Sequence, residues 1–179
     1  AAAGADCVVM IVPTSKQVGE AVEAMLPSLK PGMLVIDMTS GQPGRTREIA
    51  AMLEGHGVPM IDCPVSGGVP RAKSGQLAIM VGGPAAEIDR AEPVLKAMGT
   101  SIYRCGDIGA GQAMKALNNL VSAGGYLIGV EALLIGQRFG LDVAHALAAP
   151  AAQLGVQVGE WVAADHQFGQ RCGLGQVEP

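Results

Sequence analysis

Three short apolar runs, set apart by helix-like stretches, constrain this chain more than any other feature. CVVMIV (7–12), MLVID (33–37) and VPMID (58–62) are continuous and rich in branched side chains. A strand with no polar face is covered on both sides, which is the condition of a parallel sheet. Between the first two runs, Val18, Ala21, Val22, Met25 and Leu26 recur at helical spacing within 15–26. A second helix is expected over 45–54, stopped by Gly55 and Gly57. Strand, helix, strand, helix, strand reads as right-handed βαβ units of an α/β fold. LAIMV (77–81) adds a fourth strand, 85–98 a third helix and 101–104 a short strand.

Residues 109–139 read as one long helix, apolar nearly all the way round. About 30 residues would span roughly 45 Å. Such a helix is expected to be wrapped by other structure, as a link between domains or inside a homo-oligomer. The fold expected is therefore a partial Rossmann-type parallel sheet over 1–107. The long helix then leads into an incomplete all-α domain over 108–179. From about residue 148 the chain is rich in Ala, Gly and Gln and shows no element. It opens without Met, in what reads as the tail of a helix, so its natural N-terminus is expected to lie upstream.

Composition narrows the function. With 49% apolar residues but only 3% aromatic, the core must be built from Val, Leu, Ile, Ala and Met. A formal charge of −4 without a basic stripe argues against a nucleic-acid partner, since phosphate binding needs clustered Lys and Arg. Cys7, Cys63, Cys105 and Cys172 form no C-x-x-C pair, and His56, His145 and His166 are scattered, so no metal site is expected. A reduced, cytoplasmic setting follows. There is no basic n-region of a signal peptide. The most apolar stretch, 117–135, is interrupted by Asn118, Asn119, Ser122 and Glu131, so no membrane span is expected.

In parallel sheets the functional residues sit in loops beyond the carboxyl ends of strands. Three loops qualify: 13–15, 38–40 and 63–68. The third reads Cys63-Pro64-Val65-Ser66-Gly67-Gly68. A hydroxyl followed by two glycines can form a concavity of backbone N–H groups that suits a carboxylate, although an isolated S-G-G is ordinarily just a turn. Arg71 and Lys73 follow it and could help hold an anion, or be plain surface charge. Cys63 reads as a small apolar filler.

Lys115 and Asn119 lie four residues apart on the long helix and so share one face. A Lys on an apolar helix is desolvated and moves toward neutrality, which lets it exchange a proton near neutral pH. An amide beside it could orient a hydroxyl or carbonyl. The bland alternative is a snorkelling Lys and a structural Asn. Gly109-Ala110-Gly111 looks like the start of G-x-G-x-x-G, but position 114 is Met. It is rejected as a cofactor loop and read as room for the helix to start close to its neighbours.

Three stretches together resemble one family: V-P-T-S near the start, D-C-P-V-S-G-G-V-P-R-A-K-S-G-Q-L-A-I-M-V-G-G, and G-A-G-Q-A-M-K-A-L-N-N. Over about residues 5–145 the chain resembles the β-hydroxyacid dehydrogenases, and most the branch of 3-hydroxyisobutyrate dehydrogenase and tartronate semialdehyde reductase. The resemblance implies hydride transfer between NAD or NADP and a small 3-hydroxy acid. It makes Lys115 the catalytic lysine and places Asn119, Ser66, Gly67 and Gly68 on the substrate carboxylate and hydroxyl. Val12, Pro13 and Ser40 fall beside the cofactor. It also implies a preceding strand with G-x-G-x-x-G, and a following helical segment with a second lysine, neither of which this sequence holds. By itself the chain is not expected to turn over. Alternatives are an enzyme like 6-phosphogluconate dehydrogenase and a non-catalytic oligomerisation module of the same fold.

Overall fold

In a computed structural model the described residues are 4–142. The chain divides into two compact units, Ala1–Leu117 and Asn118–Pro179, and each is described by itself. Cys172, His145, His166 and the tail from about 148 lie outside the described residues.

The first unit runs β1 (Cys7–Met10), α1 (Ser15–Met25), β2 (Leu34–Asp37), α2 (Pro43–Glu54), β3 (Met60–Asp62), β4 (Val65–Ser66), α3 (Gly68–Lys73), β5 (Leu77–Gly82), α4 (Ala85–Lys96) and β6 (Gly99–Gly106). The helix α5 (Ala110–Arg138) begins in this unit and ends in the second. Strands β1, β2 and β3 are parallel neighbours, with Val35 opposite both Val8 and Met60.

The alternation along these strands explains their continuous hydrophobicity. Leu34, Ile36 and Ile61 join a core with Ile88, Ala91 and Leu95 of α4. Val35 and Met60 point the other way, to Val18 and Val22 of α1 and Ile49 and Leu53 of α2. Both faces are thus covered, and each fully buried Ile or Leu contributes about 1.5–3 kcal/mol. Helix α1 starts at Thr14, whose hydroxyl accepts the Gln17 N–H. Helix α2 stops where Gly57 turns at φ +70°, and Gly32 N–H donates to the Gly57 carbonyl.

Beyond β3 the sheet is not purely parallel. Asp62 pairs antiparallel with Gly82, and Val65 and Ser66 continue the same register against Ile79 and Ala78. Strand β6 then runs parallel to β5. The stretch 63–68, expected as a loop, therefore holds a two-residue strand and the first residue of a short helix. Runs that short leave no periodicity to read.

In the second unit α5 leaves apolar side chains open: Leu120, Val121, Leu127 and Ile128 are 69% to 70% exposed, so the described residues do not cover them. By length and composition alone α5 is also apolar enough to cross a membrane. The expectation of no such stretch demanded uninterrupted apolar residues, whereas Asn118, Asn119, Ser122 and Glu131 are diluted by their neighbours. The Ser122 hydroxyl donates to the Asn118 carbonyl at 2.6 Å, one turn back.

Candidate functional site

The carboxyl ends of β1, β2 and β3 carry a buried polar knot. Asp37 ends β2 and is 2% exposed, and its Oδ1 accepts the Thr39 N–H at 3.0 Å. Burial raises its pKa above the ordinary carboxylate value, while the bonds from Thr39 oppose the shift. The Thr39 hydroxyl accepts the Val12 N–H at 3.1 Å, tying the loop after β1 to the loop after β2. Ser15 Oγ accepts the Gln42 N–H at 2.8 Å. Val12 is half-buried, while Pro13 and Ser40 are exposed. The three residues expected beside a cofactor thus lie on adjacent, mutually bonded loops.

Asp62 ends β3 and is fully buried. Its two oxygens accept the Gly109 N–H at 2.6 Å and the Gln112 N–H at 2.7 Å, at the start of α5. Desolvation raises its pKa most; the backbone donors pull it down, and the charge of Asp37 adds to the rise. A carboxylate at a helix start meets otherwise unpartnered N–H groups and the positive end of the dipole. The glycines of Gly109-Ala110-Gly111 serve this approach. A Cβ on Gly111 would lie against the Met80 carbonyl and 2.8 Å from Asp62 Oδ2, and Gly109 adopts φ +88°. This is the close start expected from the sequence.

Lys115 follows one turn after Gln112 on α5 and is half-buried. Desolvation lowers its pKa from the usual lysine value. Asn119 lies on the same helix, exposed, in the part that belongs to the second unit. Ser66 ends β4 and is half-buried. Gly67 caps α3 at φ +131°, and Gly68 opens that helix at φ +62°. Arg71 and Lys73 are exposed, and the Arg71 side chain lies where a Gly67 Cβ would project. Cys63 is fully buried, and its burial pushes the thiol pKa up, in keeping with an apolar filler.

The sequence reading did not single out Asp37, Asp62 or Gln112. A signal existed for the first two: MLVID and VPMID are both apolar runs that end in Asp at a strand terminus. Gln112 has no such signal, because its burial depends on contacts 71 and 73 residues away in the chain.

A largely parallel sheet with polar loops gathered at the carboxyl ends of its parallel strands, passing into a long helix, defines the Rossmann-type class of dinucleotide domains. Residues 1–106 match the family model described as the NAD binding domain of 6-phosphogluconate dehydrogenase. Residues 109–164 match that described as NAD-binding of NADP-dependent 3-hydroxyisobutyrate dehydrogenase. The chain is 40% identical to a probable 3-hydroxyisobutyrate dehydrogenase of Mycobacterium tuberculosis, over 79% of this chain and 48% of that protein. It is 39% identical to the human mitochondrial 3-hydroxyisobutyrate dehydrogenase, over 77% of this chain and 42% of that one. The structure of the Mycobacterium tuberculosis enzyme with L-serine superposes with a TM-score of 0.82 at 36% identity, covering 92% of this chain and 55% of that one. The chain belongs to the β-hydroxyacid dehydrogenase family, in its 3-hydroxyisobutyrate dehydrogenase branch. It spans about half the length of the curated relatives it matches. These relatives do not favour the 6-phosphogluconate dehydrogenase alternative.

Proposed function

We propose that this chain carries the proton-transfer and substrate-holding part of an NAD- or NADP-dependent dehydrogenase. Its substrate is a small 3-hydroxy acid, either 3-hydroxyisobutyrate-like or tartronate semialdehyde/glycerate-like. Lys115 carries the proposal: a half-buried amine of lowered pKa stands on a helix whose start is bonded to Asp62, just before the stretch holding Ser66. Bound nicotinamide supplies the hydride acceptor or donor. In oxidation neutral Lys115 takes the proton of the substrate hydroxyl; in reduction the ammonium returns it. Asn119 offers its amide to the same oxygen. The Ser66 hydroxyl and the N–H groups of Gly67 and Gly68 hold the carboxylate, and such positioning lowers the barrier by several kcal/mol. Val12, Pro13 and Ser40 are the residues that would lie beside the bound cofactor. The loops at the ends of β1 and β2 fit that task, since the bond from Val12 to Thr39 fixes them to one another.

The wider reading assigns 1–107 to the cofactor-binding domain and 108–179 to the start of a helical one. It also includes a cytoplasmic homo-oligomer joined through α5 and the segment after it. The exposed apolar side chains of α5 support the oligomer, and the free thiols Cys7, Cys63 and Cys105 suit a reducing compartment.

The test is nicotinamide absorbance in the full-length protein with 3-hydroxyisobutyrate, glycerate and 6-phosphogluconate. Turnover is expected with a 3-hydroxy acid and not with the phosphorylated sugar acid. Silence with every 3-hydroxy acid, under NAD and NADP alike, would reject the assignment.

A further inference from the structure

Gln112 is a buried polar side chain that the proposed chemistry leaves unused. It is 1% exposed, in the first turn of α5 and within the first unit. Its Oε1 accepts the Gly41 N–H at 2.7 Å, and its Nε2 donates to the Thr39 carbonyl at 2.7 Å. Only one orientation of the amide works, since the flipped form would set NH2 against N–H and oxygen against carbonyl.

The two backbone groups that it grips flank Ser40. The loop is thereby held on both sides of its exposed residue. Its other ties are fixed as well: Thr39 N–H on Asp37, Val12 N–H on the Thr39 hydroxyl, and Gln42 N–H on Ser15 Oγ. A Cβ on Gly41 would collide with Ser15 Oγ, so the loop is seated closely against α1. In the other direction the Gln112 backbone N–H is anchored on Asp62, and Lys115 follows one turn later. One helical turn therefore presents the amine and also sets the loop that carries Ser40.

We propose that Gln112 is a positioning residue, which holds segment 39–41 in register with Lys115 by bonding the backbone on either side of Ser40. This rests on the dehydrogenase reading above. A side chain of the same volume without the amide would keep the packing and lose the register.

The experiment uses the full-length protein with Gln112→Met, which removes both bonds, and Gln112→Glu, which removes the donor facing Thr39. In either variant that folds, KM for the nicotinamide cofactor is expected to rise about tenfold or more and kcat to fall alongside it. A lowered melting temperature with unchanged cofactor KM and kcat would mean a purely structural amide and overturn the proposal. Lys115→Ala is run in parallel. Lost turnover there with kinetically normal Gln112 variants removes this inference alone; retained turnover there removes the site assignment beneath it.

Discussion

The Asp62 carboxylate accepts the backbone N–H of Gln112 at 2.7 Å, so the end of β3 and the first turn of α5 form one hydrogen-bonded piece. The second oxygen does the same for Gly109. Asp62→Ala would leave two buried donors without partners, at about 1–3 kcal/mol each. Urea unfolding of the full-length protein should show a clearly lowered midpoint. An unchanged midpoint would mean that the carboxylate does not hold the helix start.

The buried carboxylates also set a pH dependence. Asp37 and Asp62 both have pKa values raised by desolvation. Their folded state therefore prefers the protonated form. The stability that this preference contributes is full below the unfolded carboxylate value and is lost as pH rises through the raised folded values. Asp37→Asn keeps an acceptor for Thr39 N–H and removes one titration. Unfolding midpoints followed from about pH 4 upward should fall less steeply in this variant than in the parent. Equal slopes would mean that the Asp37 carboxyl titrates alike in the folded and unfolded chain.

Gly67 is a position that only glycine fills without strain. Its φ is +131°, and an added Cβ would lie 2.7 Å from Arg71 Cβ and Cδ. Gly67→Ala is expected to cost about 1–3 kcal/mol of local strain. It should raise KM for the hydroxy acid while sparing KM for the cofactor, which the proposed reading places at the loops after β1 and β2. Steady-state kinetics with each reactant varied in turn checks the split, and a rise in cofactor KM alone would contradict it.

Much of the fold was legible because it depends on local pattern. CVVMIV, MLVID and VPMID became β1, β2 and β3 since strands covered on both faces carry no polar alternation. Helix α5, read as 109–139, runs from Ala110 to Arg138, because a long apolar stretch carries the clearest signal. The all-round apolar pattern of α5 reports that the helix needs cover and not what supplies it. Strand β4 and helix α3 escaped because two residues and six residues carry too little period. Lys115 and the Ser66-Gly67-Gly68 stretch stood out by residue type. Gln112 did not, since only folding brings it to Thr39 and Gly41.

The central claim concerns the proton held by Lys115. Desolvation lowers its pKa from 10.5, and oxidation needs the neutral amine. Oxidation should accelerate as pH rises through the lowered value, and reduction should slow over the same range. The most direct measurement is kcat against pH for the full-length protein and its Lys115→Met variant. The account predicts a loss of about 10²–10⁴ in kcat and disappearance of the lysine limb. The melting temperature should be unchanged or higher, because a desolvated charge has been removed. A variant that turned over near the parent rate with the limb intact would contradict it.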